Sequence, residues 1–290
     1  MVPTRHCNRR LVQLVADEHY VPVVTHLSDS PNHLEPGVIC TRNASVLTVT
    51  LNRPAKRNAM GPSTWKALAD IGAAVDSDVR VVVIRGAGKA FSAGLDLQLF
   101  ATGTAAGYDG SFSKLFEATP DEFDQIVEGY QAGFTWLRNP QFISVAAVQG
   151  YAIGAGLQLA LACDLRLASS DVKFSMREPA LGVVPDLTGT TTLVNAVGYA
   201  RALEWTATAR WIEANEALAS GLVSQIVPAE ELDAAVAGLV QKLTAHPHGA
   251  VTATKALLLG ATEHGYDEQR AYERAEQFQR FAAMAADRQA

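Results

Sequence analysis

Residues 142–164 read FISVAAVQGYAIGAGLQLALACD, and how this stretch is read decides the fold. No charged residue lies between Val145 and Cys163, a run close to the roughly 20 apolar residues that a membrane-spanning helix needs. Gly150, Gly154 and Gly156 interrupt it, and Gln149 and Gln158 would be costly against lipid. A buried strand from Phe142 to Val148, a glycine turn and an apolar helix-like stretch from Leu157 to Ala162 account for every residue. The segment is therefore expected inside a water-soluble core, with no membrane partner.

The same order of strand, glycine turn and helix recurs upstream, from Val81 to Asp96. Val46, Leu47, Val49 and Leu51 alternate as in a strand, stopped by Asn52-Arg53-Pro54, and helix periodicity follows from Pro62 to Val75. Val81 to Ile84 is a short apolar strand ended by Gly86-Ala87-Gly88. Residues 101–113, rich in Gly, Ala, Ser and Thr, are expected to form a mobile loop. The spacing of Phe123, Ile126, Val127, Tyr130, Phe134 and Leu137 predicts an amphipathic helix over Pro120 to Arg138. Val172 to Met176 is expected as a strand and Glu178 to Gly189 as a loop, with mostly helix beyond. Strands alternating with helices give an α/β fold.

Residues 1–43, polar and carrying Pro22, Pro31 and Pro36, read as a poorly ordered extension, with organised structure expected from Ala44. A core over 44–210 and a helical region over 211–290 follow. Tyr266, Tyr272, Phe278 and Phe281 give the last helix more aromatic surface than a solvated helix needs, which points to packing on another subunit.

Composition narrows the function. The chain of 290 residues is 48% hydrophobic and 19% charged, which excludes a largely disordered or fibrous protein. With 24 Lys and Arg against 30 Asp and Glu, the net charge of −6 comes with no basic block, so nucleic acid is not expected as a partner. Cys7, Cys40 and Cys163 are an odd number without C-x-x-C spacing; neither a disulfide framework nor a zinc cluster fits, and a reducing cytoplasmic setting does. No signal-peptide pattern is evident at the start of the chain.

All seven histidines lie at or before His33 or at or after His246, which removes histidine triads and histidine-held metals from the core. Ser92 lies in Ala90-Phe91-Ser92-Ala93-Gly94, not in a G-x-S-x-G elbow. Gly88-Lys89 fails as a phosphate loop, and Gly154-Ala155-Gly156 lacks the third glycine of a dinucleotide turn because Leu159 stands there, which leaves a Rossmann oxidoreductase as a minor alternative. What remains is two glycine turns, at Gly94-Leu95 and at Gly154-Ala155-Gly156, each expected to open a helix and to present free backbone N–H groups. Converging on one point they would form an oxyanion hole; taken singly, the glycines only permit a tight turn. Glu178 and Asp186 stand in an apolar loop, where desolvation raises carboxyl pKa values. The plainer readings are an ion pair of Glu178 with Arg177 and a helix cap by Asp186.

The runs Leu51-Asn52-Arg53-Pro54 with Asn58-Ala59-Met60, Ala90 to Leu97, and Gln149 to Gly156 through Ala162-Cys163-Asp164 together resemble the enoyl-CoA hydratase/isomerase (crotonase) family over about residues 44–285. The resemblance implies a spiral of repeated ββα units with a helical C-terminal region, assembled as a homotrimer or a dimer of trimers. It implies an acyl-CoA thioester substrate, with coenzyme A as part of that substrate and no separate cofactor or metal. The thioester oxygen would be held by the N–H groups of Leu95 and Ala155. The loops around Ala59, Ala93 and Asp96 would hold the adenine and pantetheine, and Lys56 or Lys255 would meet the phosphates.

In the family's hydratases two glutamates hold one water; here the second aligns with Glu178 and the first is replaced by Gln158. An amide can orient water but cannot take its proton, so double-bond isomerisation by Glu178 is the expected reaction. The offset of Asp186 from Glu178 resembles the paired acids of the family's dienoyl-CoA isomerases. It also resembles the aspartate nucleophile of its aryl-CoA dehalogenases, whose catalytic histidine has no counterpart here. An enoyl-CoA hydratase of reduced activity and a non-catalytic acyl-CoA-binding protein are the alternatives.

Overall fold

The structure, a computed structural model, describes residues 32–34, 37–103 and 111–288. Among the described residues ten strands make two sheets: β1 (Asn32–Leu34), β2 (Val38–Asn43), β3 (Val46–Leu51), β4 (Val81–Gly86), β5 (Ile143–Val148), β6 (Tyr151–Ile153), β7 (Leu165–Ser169), β8 (Lys173–Ser175), β9 (Ile212–Glu213) and β10 (Gln225–Val227). The larger sheet runs β1-β2-β3-β4-β5-β7-β10, antiparallel as far as β3 and parallel from β3 onward. The smaller runs β6-β8-β9, with β6 and β8 parallel and β9 antiparallel to β8. The helices are α1 (Pro62–Ala73), α2 (Leu97–Thr102), α3 (Pro120–Thr135), α4 (Ala155–Ala162), α5 (Gly189–Val197), α6 (Tyr199–Thr208), α7 (Ala214–Ala219), α8 (Leu232–Thr244), α9 (His248–Gly260) and α10 (Tyr266–Asp287).

The repeated unit is visible three times. A strand enters the large sheet, the chain crosses to the small sheet, and a helix leads away: β5, β6 and α4, then β7, β8 and α5. In the first unit, which begins with β4 and ends with α2, the second strand is reduced to Ser92, bridged in parallel to Ala152. The sequence dictates this layering because β4 and β5 are apolar on both faces. Val82, Ile84, Ala146 and Val148 join the main core, while Val81, Val83, Val145 and Ala147 pack on Leu232 and Val236 of α8. Each buried Val or Ile contributes about 1.5–3 kcal/mol. The aromatic stripe of α3 packs as its spacing predicts, with Tyr130 and Phe134 against Trp65 of α1. Its start is set by Pro120 and by a reciprocal cap between Thr119 and Glu122.

Three boundaries differ from expectation. Ordered structure begins before Ala44: β2 pairs with β3 along its whole length, and Ala44-Ser45 is the hairpin turn between them. Val38 and Cys40 of β2 alternate inward, a pattern too short to stand out beside Pro36. The division at 210/211 does not separate two bodies, since β9 and β10 complete the small and large sheets. The loop expected over 101–113 is helical at both ends, in α2 and in a 3-10 turn over Ser111–Phe116. Residues 1–31, with Cys7, and residues 104–110 lie outside the described residues. Among the described residues no helix is long and apolar enough to cross a membrane.

Lys255 does not serve as a phosphate contact. It lies in α9, 5% exposed, and its ammonium donates to Asp164 Oδ2 at 2.7 Å and to the carbonyls of Asn139 (2.7 Å) and Phe142 (2.8 Å). Asp164 Oδ2 in turn accepts from Ser144 N at 2.7 Å, so α9 is tied to the start of β5. Burial pushes the Lys255 pKa down, and the Asp164 charge opposes it. Lys255→Met leaves that carboxylate without its counterion. A loss of about 3–5 kcal/mol in urea unfolding is expected, smaller when Asp164→Asn is combined with it.

Candidate active site

The two glycine turns meet. Ser92 donates its N–H to Tyr151 O (2.9 Å) and accepts from Ile153 N (3.0 Å) at its carbonyl, which lays the first turn along β6. Gly94 has φ +82°, and a Cβ there would stand 2.4 Å from Ile153 O and 3.4 Å from Ala155 N. Only glycine permits this approach.

The N–H groups of Ser92, Ala93, Gly94 and Asp96 are bonded to Tyr151 O, Arg57 O, Ser92 Oγ and Met60 O; among these five residues the N–H of Leu95 has no partner. The N–H of Ala155, at the first position of α4, has no intrahelical acceptor. Two unpaired donors are thus presented by adjoining turns. The first turn does not itself open a helix: Leu95 bridges Met60, and α2 starts at Leu97 with Asp96 as its cap.

The loop from Arg53 to Met60 supports the first turn. Asn58, buried, accepts from Arg53 N (2.9 Å) and donates to the carbonyls of Ala87 (2.9 Å) and Ala90 (2.7 Å). Arg53 reaches Ala59 O (2.8 Å) and Asp96 Oδ2 (3.3 Å), which joins Ala59 to Asp96; Ala93 N donates to Arg57 O at 2.8 Å. Ala59, Ala93 and Asp96 therefore lie together, with Lys56 exposed on the same loop. The Asp96 carboxylate is occupied by Arg53 and by the Gln98 N–H. Sequence reasoning missed the scaffold roles of Arg53 and Asn58; the one local sign is that Asn58 tolerates its positive φ of 55°.

The acids stand at the second turn. Glu178, 9% exposed at the start of a 3-10 turn, places Oε1 3.2 Å from where a Cβ of Gly154 would be. Oε1 accepts from Gln158 Nε2 at 2.7 Å, while Oε2 is buried without a partner. Burial is the main cause that raises the Glu178 pKa; the nearby Asp186 charge adds to it, and hydrogen bonds from backbone and Gln158 only partly offset it. The pKa of Asp186 is also raised, by the atoms crowding its carboxyl, although the residue as a whole is exposed.

Asp186 is not a helix cap, since α5 begins at Gly189 with Thr188 before it. Gln158 does not offer its carbonyl to a water. Its Oε1 accepts from Leu187 N (2.9 Å) and Gly189 N (3.2 Å), which uses both lone pairs. A Cβ at Gly189 would meet Gln158 Cγ at 2.7 Å.

The enoyl-CoA hydratase/isomerase profile matches residues 41–289. The chain belongs to the enoyl-CoA hydratase/isomerase family. It is 34% identical over 256 residues to the human mitochondrial Delta(3,5)-Delta(2,4)-dienoyl-CoA isomerase, covering 83% of this chain and 74% of that protein. It is 34% identical over 197 residues to a Mycobacterium tuberculosis protein named "Probable enoyl-CoA hydratase", covering 67% and 70%. A Thermobifida fusca YX structure assigned to the enoyl-CoA hydratases superposes with TM-score 0.82 at 46% identity, covering 87% of this chain and 95% of that one. Two further structures under that assignment hold CoA and acetoacetyl-CoA. The protein is an enzyme of this family with the crotonase fold.

The titration of Glu178 is open to direct test in this family member. Carboxyl-labelled carbon NMR should place it above the usual carboxylate range. Gln158→Glu removes a donor and adds negative charge, so it should move the titration to still higher pH and lower the ionised fraction at any given pH.

Proposed function

We propose that this enzyme is an acyl-CoA double-bond isomerase that converts a 3-enoyl- or 3,5-dienoyl-CoA thioester into its conjugated isomer. The observation that carries the reading is Glu178 Oε2, a buried carboxylate oxygen without a partner, beside the turn that leaves the Ala155 N–H free. In the proposed complex the thioester oxygen accepts from the N–H groups of Leu95 and Ala155. Each donor aimed at a developing oxyanion is worth on the order of a hundred- to a thousandfold in rate. Glu178 Oε2 takes the α-proton, and the C–H electron pair passes into the thioester as an enolate. The pair then closes the α,β double bond and displaces the next one outward. The γ-carbon of a 3-enoyl ester, or the ε-carbon of a 3,5-dienoyl ester, takes a proton. Nothing is lost or oxidised.

Asp186 suits the return of that proton to a distant carbon, because desolvation raises its pKa and makes its carboxyl a readier carrier of a proton than an ordinary aspartate. The naming of relatives as dienoyl-CoA isomerases supports the two-acid version. The loops at Lys56, Ala59, Ala93 and Asp96 are proposed to hold the CoA portion, with no other cofactor. The hydratase reading draws on relatives of that name, but the Gln158 amide cannot take a proton from water and its carbonyl has no free lone pair. The carrier reading is opposed by both acids. The buried free thiols of Cys40 and Cys163 suit a reducing compartment such as the cytoplasm.

With 3-enoyl- and 3,5-dienoyl-CoA esters, absorbance of the conjugated thioester should grow, and Glu178→Gln should slow it by about 10²–10⁴. Rapid loss of conjugation from a 2-enoyl ester would make the enzyme a hydratase. We also propose a homotrimer or dimer of trimers built partly on α10, where Tyr266, Phe278, Phe281 and Met284 are exposed. Sedimentation should give a multiple of three chains, and Phe278→Asp with Phe281→Asp should weaken the assembly.

A further inference from the structure

The loop that carries Asp186 has little holding of its own. Leu181, Gly182, Val183 and Val184 are exposed, and Val184 is 70% exposed. After Val183 N, which donates to Glu178 O at 3.1 Å, the loop's hydrogen bonds to the rest of the chain come from two side-chain amides, while Leu187 at its end is buried in the main core. Gln131 of α3 donates from Nε2 to Asp186 O at 2.7 Å. Gln158 of α4 accepts from Leu187 N at 2.9 Å and from Gly189 N at 3.2 Å. One peptide unit, between Asp186 and Leu187, is therefore gripped at its carbonyl by one glutamine and at its N–H by the other. Gln158 then continues the chain of bonds through Nε2 to Glu178 Oε1 at 2.7 Å.

We propose that Gln131 and Gln158 are positioning residues that set where Asp186 stands relative to Glu178, and so which carbon of the acyl chain receives the returning proton. The inference rests on the two-acid reading above and adds residues to it. The chemistry selects the amide. At position 158 the side chain must accept from two N–H groups and donate to a carboxylate at once. Carboxylate cannot donate and an ammonium cannot accept, whereas an amide does both. At position 131 a donor is needed on a helix packed against the core, so the loop inherits the rigidity of α3. Proton removal depends on Glu178, which Gln158 holds directly. Proton return depends on Asp186, whose backbone needs Gln131 as well. Loss of Gln131 should therefore separate two steps that loss of Glu178 removes together.

The experiment is Gln131→Leu, with Gln131→Met as a second variant, assayed on a 3,5-dienoyl-CoA in deuterium oxide. Two quantities are read: the rate of conjugation, and deuterium entering the α-carbon of recovered substrate. The expected result is a fall of about tenfold or more in kcat for conjugation with KM within about twofold. The ratio of α-exchange to conjugation rises at least severalfold. An unchanged ratio, whether both rates hold or both fall together, overturns the proposal, because a merely structural role moves both alike. Glu178→Gln is the separate control. If it leaves exchange and conjugation intact, the acid–base reading of the site fails, and that result is distinct from failure of the Gln131 and Gln158 assignment.

Discussion

The contact between Gly94 and the carbonyl of Ile153 is the constraint on which the site depends. Two peptide backbones approach so closely that a single added carbon would stand 2.4 Å from an oxygen. This approach brings the unpaired N–H of Leu95 to the side of Ala155 at the start of α4. The surrounding residues keep it in place: Ser92 is laced to β6 by two backbone bonds, and Asn58 and Arg53 brace the outer side. Because backbone groups have no rotamers, the donors are preorganised by the fold itself.

A second constraint is electrostatic. Glu178 is buried beside another acid, and both effects favour its neutral form. The hydrogen bond from Gln158 works the other way, and without it the carboxylate would be harder to ionise. The same amide ties down the loop of Asp186, so a single side chain fixes one acid and helps place the other. A glutamate at position 158 would add a third carboxyl to this cluster. The amide at position 158 thus bears on the charge of the site and on the support of its loop together.

The strands and the two glycine turns were legible because they are encoded locally, by apolar runs such as Val81 to Ile84 and Phe142 to Val148 and by glycines placed just after them. The ordered motifs from Leu51 to Asp164 carried the family and made Leu95 and Ala155 candidates, and the family resemblance added Glu178 downstream. The boundary at Ala44 was misplaced because β2 gains its order from pairing with β3, a partner that local pattern does not reveal. Lys255 was misread because a lysine in a helical stretch looks alike whether it meets a phosphate or an internal carboxylate and backbone carbonyls. Gln158 was noticed for the charge it lacks, but its bonds to Leu187 and Gly189 depend on residues 29 and 31 positions away.

By itself the sequence determined the α/β class and, through short motifs, the family with the ββα repeat it implies, and it singled out Glu178 and Asp186 as candidates, since hydrophobic period, turn glycines and short motifs are properties of neighbouring residues. Only the tertiary structure decided that the two turns touch, that Lys255 is an internal strut, and that Gln131 and Gln158 grip one peptide from opposite sides. Those outcomes come from close packing between distant segments, where tenths of an ångström and the direction of an N–H or C=O bond decide which groups are paired and which remain free.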